Sequence, residues 1–161
     1  MNHLSLTTKK NFRASQKGAA AVEFAIVISL LVLIVGGIIE FGRVLWHLDA
    51  LTKATRDGAR FLATVSKPIS NADKARTSDI VENAATKAGL VDEGGSPLIG
   101  SSNVAVSCDS ACDDPGYVTV AITGYGVDFG SWFAMPLPAV NWPLQPQTTM
   151  RYMCTEIGKS C

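Results

Sequence analysis

The sequence predicts an α+β chain. A long N-terminal helix, half of it membrane-spanning and half amphipathic, packs on a small antiparallel sheet with a second short helix. Three observations predict this. An uncharged apolar run, Phe24–Ile39, follows a short basic leader. A 3,4-spaced apolar pattern then continues to about Val65. Short alternating segments follow in the C-terminal third, separated by glycine- and proline-rich stretches. The expected segments are a basic leader over 1–18, a transmembrane segment over 19–40, an amphipathic helix over 41–66 and a small head domain over 67–161.

The leader carries Lys9, Lys10, Arg13 and Lys17 and no acidic residue. The 161 residues hold 14 basic and 14 acidic side chains. Beyond the leader the balance is therefore ten against fourteen, a net of −4. That gives no support for a nucleic-acid surface. Basic residues before an apolar segment predict a cytoplasmic N-terminus and an exported C-terminus. With Ala19–Val22 added, the apolar run reaches the ~20 residues that cross a bilayer. A secretory signal cleaved after that run needs small residues at its end. The chain reads Ile38-Ile39-Glu40-Phe41-Gly42-Arg43-Val44 there, which offers none.

A plain signal anchor explains everything in this region except Glu23. A carboxylate at a bilayer centre costs about 2.5–3.5 kcal/mol, and less near an end, so intramembrane acids read as functional. Gly18, Ala19, Glu23 and Phe24 have the spacing of a prepilin peptidase site, with Glu23 and Phe24 fifth and sixth after the cut. With the stretch GAAAVEFAIVISLLVLIVGGIIEFGRVLW and the tract ALTKATRDGARFLA, the chain resembles the TadE-like pseudopilins of the Tad (Flp, type IVb) pilus system. The resemblance covers about residues 16–66, and more loosely the C-terminal strands. The shorter TadE-like type fits better than the TadG-like type with its larger exported domain, and the TadF-like type stays open.

The resemblance implies cleavage between Gly18 and Ala19 by a prepilin peptidase on the cytoplasmic side. It implies partners among other pilins, pseudopilins and the Tad assembly platform. It further implies roles in pilus biogenesis, adherence and biofilm formation. The expected location is the bacterial inner membrane, single-pass, with the C-terminal domain in the periplasm. Entry into an extracellular pilus is left open. Cleavage would free an α-amino group on Ala19. In a low dielectric Glu23 attracts such a charge far more strongly than in water, on a neighbouring subunit or one turn away in its own helix. The alternative is an uncleaved single-pass protein with a periplasmic interaction domain.

Beyond the membrane, Phe41, Val44, Leu48, Leu51, Thr55, Gly58, Leu62 and Val65 form a heptad-like seam. Thr55 and Gly58 are weak seam residues, so the seam is expected to be covered by the chain's own head. Lys67-Pro68 ends the helix near Ser66. Glu40 and Arg43, three apart, read as an interfacial ion pair. Ser70-Asn71-Ala72-Asp73 reads as a capping box. It opens a second helix with Val81, Ala84, Ala85 and Ala88 on one face and Gly89 near its C-cap. Glu93–Pro97 reads as a loop.

Strands are expected at Asn103–Cys108, Tyr117–Thr123 and Gln147–Cys154. Val118, Val120 and Ile122 share one face of the second, and Met150 and Tyr152 one face of the third. Gly124–Pro146, with Phe129, Trp132, Phe133, Trp142 and four prolines, reads as a long ordered loop. Trp132 and Trp142 cap the small core or meet a partner.

Cys108, Cys112, Cys154 and Cys161 all fall on the exported side, where an even number reads as disulfides. Local closure favours Cys108–Cys112 with Cys154–Cys161, and a crossed pairing stays open. The carboxylates Asp109, Asp113 and Asp114 read as a solvated turn, with weak calcium binding as the alternative. No metal site and no cofactor is expected. His3 and His47 lack a nucleophile pattern around them, and the glycines of Gly124–Gly130 lack dinucleotide-site spacing. An enzyme is not expected.

Overall fold

A computed structural model describes residues 13–110, 112–129 and 140–153. It is α+β. Helix α1 runs Arg13–Thr64 and helix α2 Asn71–Lys87. Five strands follow: β1 Val104–Cys108, β2 Tyr117–Ile122, β3 Gly126–Phe129, β4 Val140–Pro143 and β5 Gln147–Arg151. The chain divides into two compact units, Met1–Ile39 and Glu40–Cys161. The first contributes the apolar helix. Its side chains from Val22 to Ile39 include many large exposed hydrophobics, and α1 is long and apolar enough to cross a membrane.

The second unit is the head. Its main sheet is antiparallel in the order β1-β2-β5. Val106 pairs with Val120, and Val120 with Thr148. Val118, Val120 and Ile122 are fully buried, as their alternation predicts. They pack with α2, whose inner face is Thr77, Ser78, Val81 and Ala85. The capping box at its start is present. Ser70 accepts from the Asp73 amide at 3.2 Å, and Asp73 accepts from the Ser70 amide at 3.0 Å. Such a cap contributes ~1 kcal/mol. At the other end Ala88 is the C-cap and Gly89 follows it at φ +86°. Glycine takes that left-handed turn without steric cost.

The head is mounted on α1. Leu51, Ala54, Thr55, Ala59, Leu62 and Ala63 are all nearly or fully buried. Thr55 Oγ1 meets Thr148 Oγ1 at 3.0 Å. The exposed last carbonyls of a helix need donors, and the tail of β5 supplies two. The Met153 amide donates to Ala63 at 3.0 Å, and the Tyr152 hydroxyl donates to the carbonyl of Val65. A disulfide joins Cys108 and Cys112 with Cα atoms 5.6 Å apart. The Cys112 carbonyl accepts from the Ile69 amide at 2.9 Å, tying that loop to the α1–α2 connection. Cys154 and Cys161 lie outside the described residues, as do Trp132 and Phe133.

Four expectations need correction. The seam does not hold at its membrane end, because Phe41 is 57% exposed and Leu48 37% exposed. Glu40 and His47 are buried there, beside the seam residues Val44 and Leu51. A straight helix turns ~100° per residue, so a strict seven-residue repeat drifts ~20° per heptad. Counted that way, Phe41 and Leu48 lie ~70–90° round α1 from the middle of the face that Glu40, Val44, His47 and Leu51 share. Secondly, α1 starts at Arg13, before Ala19, and ends at Thr64. Thirdly, Gly124–Pro146 is not simply a loop, since it contains β3 paired with β4. Fourthly, Glu40 and Arg43 form no ion pair. Glu40 is 4% exposed and neither of its carboxylate oxygens has a hydrogen-bond partner, while Arg43 is exposed.

Gly58 is a point of close approach between α1 and α2. A Cβ there would stand 2.7 Å from Val81 Cγ2 and 3.3 Å from Thr77 Cγ2. Both contacts are β-branched side chains in a packed core, which yield at a cost. Gly58→Ala is therefore expected to destabilise the head by ~1–3 kcal/mol despite alanine's better helix propensity. A lowered thermal midpoint of the full chain in detergent would show it, and an unchanged or raised one would mean that the crossing tolerates a methyl group.

Candidate functional site

Two regions carry the chemistry. The first is the start of α1. Gly18, Ala19, Glu23 and Phe24 all lie on the helix and are exposed. Nothing stands within 4 Å of a Cβ built on Gly18. The fold itself therefore places no demand for glycine at that position. Glycine nonetheless weakens a helix interior by ~1 kcal/mol, and here it weakens the turn that holds the Gly18–Ala19 bond.

Residues 18–60 match the family model described as TadE-like protein. That segment is similar to the TadE-like family. The match begins at Gly18 and ends at Arg60, within α1 and short of its last turn. The resemblance read from the same residues in the sequence is thus shown by an independent comparison. No curated protein and no solved structure matches the chain.

The second region, in the head, was not found by sequence reasoning beyond a note on His47. Next to the TadE-like helix face, His47 Nδ1 and the Tyr125 hydroxyl are 2.6 Å apart across 78 positions of sequence. Their rings stack with centroids 6.2 Å apart and planes within 10°. Trp46 meets the His47 ring edge-on at 5.4 Å. Arg43, His47, Leu98, Tyr125, Val127 and Asp128 line an open pocket of about 200 Å³. Burial, and secondarily the Arg43 guanidinium, holds the His47 imidazole below its ordinary pKa. Burial raises the Tyr125 phenol, against a weaker opposite pull from Arg43. At neutral pH the pair is uncharged on both sides. It clamps the segment after β2 onto α1.

Two of the three carboxylates of the Asp109–Asp114 turn make contacts within the head. Asp109 accepts from the Gly116 amide at 3.0 Å and holds the turn before β2. Asp114 pairs with Lys67, whose ammonium also sits 4.9 Å over the Tyr152 ring. Among the described residues no group of three histidine, cysteine or carboxylate side chains is placed to hold a metal ion.

A histidine held below its ordinary pKa in the folded state takes up a proton less readily than in the unfolded chain. Stability is then lost as pH falls through the ordinary histidine value, ~6.5. Asp73 and Asp109 are held below the ordinary carboxylate pKa, the first mainly by its Ser70 hydrogen bonds and the second mainly by the Tyr117 amide. Their contribution disappears only at lower pH, near ~4. The thermal midpoint should therefore fall between about pH 7 and 5.5 in the native chain and stay flatter in His47→Gln. Parallel curves for the two proteins would remove His47 as the cause.

Proposed function

We propose that this protein is a minor pseudopilin of a Tad/Flp-type pilus assembly system. It inserts with its N-terminus in the cytoplasm and its head in the periplasm. A prepilin peptidase cuts it between Gly18 and Ala19, and the mature chain works with other pilins or pseudopilins and the assembly platform. Pilus biogenesis, adherence and biofilm formation are the processes it serves. Its role is structural and not enzymatic. The TadE-like match that begins at Gly18 carries this reading. A membrane-length apolar helix and an α+β head mounted on the same helix agree with it.

Glu23 has a defined part in this scheme. Its carboxylate sits one helical turn from the α-amino group that cleavage would free on Ala19, and a low dielectric strengthens their attraction. Pairing with the Ala19 amine of a neighbouring subunit neutralises both charges and sets the axial stagger of the two helices.

The second reading is an uncleaved single-pass protein with an interaction domain. One observation favours it: α1 begins at Arg13 and runs through the Gly18–Ala19 bond without a break, so a peptidase must unwind it there. The intact mass and N-terminal sequence of the protein from membranes separate the two. The pseudopilin reading expects a chain that starts at Ala19. A start at Met1 leaves the second reading standing. Gly18→Ala fits the fold, so accumulation of the uncut form in that variant would trace to the peptidase and not to misfolding.

Glu23→Val should leave insertion and head folding intact and reduce surface piliation roughly tenfold or more, the equivalent of ~1.4 kcal/mol lost per assembly contact. Normal piliation would remove Glu23 from the assembly scheme.

A further inference from the structure

Arg43 and His47 stand four residues apart on α1, so their side chains share one face of the helix. Tyr125, just before β3, comes over that face. The His47 ring is held from two sides, by the stacked Tyr125 ring and by the edge of Trp46. The Tyr125 hydroxyl takes up Nδ1. Nε2 finds no partner among the described residues and is not one of the buried unbonded atoms, so it opens to the pocket that the ring lines.

The charges around that pocket are unequal in what they already hold. The ion pairs among the described residues are Lys53–Asp49 and Lys67–Asp114, which leaves the exposed Arg43 guanidinium without an anion. Asp128 is the acid of the pocket, and its carboxylate already accepts from Asn141 Nδ2 at 2.8 Å. Glu40, two turns along α1 from His47, does not line it.

These groups suit one kind of guest. With the Tyr125 O–H donating to Nδ1, Nε2 carries the hydrogen and donates. Guanidinium and imidazole N–H groups are matched to carboxylate oxygens, and charge-assisted bonds are about twice as strong as neutral ones. The imidazole is already fixed by its neighbours, so it loses little freedom on binding. A space of about 200 Å³ is below the ~300–1,000 Å³ of sites for larger ligands. It takes a carboxylate on a short stem. Asp128 repels a second negative charge.

We propose that Arg43, His47 and Tyr125 form a binding site for a singly charged carboxylate, with Asp128 turning away dianions. Arg43 grips the carboxylate with its fork, His47 Nε2–H bonds one oxygen, and Tyr125 fixes the tautomer. The carboxylate belongs to a free small acid or to an acidic side chain of another protein. The groups facing His47 are Arg43 from α1 and Tyr125 and Asp128 from the other side of the pocket. A bound anion favours the imidazolium that burial and Arg43 otherwise oppose. Binding and protonation therefore reinforce each other. Every group of the site lies in the head, so the proposal stands whether or not Gly18–Ala19 is cut.

The test uses the full chain in non-ionic maltoside micelles with its histidines carbon-13-labelled at Cε1. The chain has two histidines, and His47→Gln identifies the signal of interest. Sodium acetate, N-acetylglutamate α-amide and sodium sulfate are titrated in turn at constant ionic strength against chloride. Both carboxylates should shift the His47 signal saturably, with dissociation constants of ~1–10 mM. The titration midpoint of His47 should rise by ~0.5 pH unit or more at saturation. Tighter binding of the glutamate amide than of acetate would assign the guest to a protein side chain, and the reverse to a free acid. Arg43→Gln should weaken both by about tenfold or more, and Asp128→Asn should admit sulfate. A response to the carboxylates no different from chloride in the unsubstituted chain would overturn the proposal without relying on any variant. So would sulfate binding as well as acetate, or an unchanged affinity in folded Arg43→Gln. Sulfate excluded from Asp128→Asn as well would remove Asp128 as the selecting group.

Discussion

One helix must satisfy two solvents. Along its first part α1 offers large exposed aliphatic side chains, and from Glu40 onward one arc of the same helix is buried by protein. Nothing in backbone geometry marks the change, since the helix is continuous from Arg13 to Thr64. The change lies in side-chain size. Ala50, Ala54, Gly58, Ala59 and Ala63 give the second part a low surface. Backbone of α2 and β2 can approach it closely, and Val81 and Val120 fill the space over Gly58. Close approach of many small contacts adds up, because each atom pair contributes only ~0.1–0.2 kcal/mol.

The polar groups of the head are arranged around that contact. Thr55 is fully buried and shares a hydrogen bond with Thr148. His47 is nearly buried and paired with Tyr125. Both pairs tie α1 to the chain after β1, at levels two and four turns from Leu62. Glu40 stands apart, buried with two unbonded oxygens. Leaving a polar group buried without partners opposes folding, by ~1–3 kcal/mol and more for a charge. The expense falls at the residue where the head begins.

Much of this was legible in the sequence, and the exceptions have physical causes. The alternation Val118, Val120, Ile122 and the Ser70–Asp73 spacing each encode a local interaction, so strand β2 and the cap of α2 could be read directly. β3 and β4 could not. Each has four residues, β4 ends at Pro143, and Gly126 lacks a side chain because Asn141 lies across it, with Oδ1 2.2 Å from where a Cβ would be. Asn141 instead donates to Asp128 at 2.8 Å. Such a pair is specified by cross-strand fit and carries no alternation to see. The seam failed at Phe41 and Leu48 for a different reason. A 3,4 pattern assigns the buried face only as long as the covering surface does not move round the helix, and here it does. The start of the TadE-like segment was readable because a lone carboxylate in an apolar run has few structural explanations.

The TadE-like match stops at Arg60, yet the buried core continues past it through Leu62, Ala63 and Ile69 into α2 and the sheet. The matched helix thus includes most of the surface on which the head is built, but little of the head. A face of alanine and glycine makes few demands on what covers it, because it sets distance and not shape. A sheet and a short helix with Val, Ile and Leu at the right spacing can settle on it without matching large knobs to deep holes. The head in turn depends on the helix, since Leu51 and Leu62 are among the largest fully buried side chains of its core. A permissive helix face and a dependent head together separate two tasks within one chain. The residues at the start of α1 are exposed and apolar. The loops and strand ends of the head remain free to answer to what lies beside it.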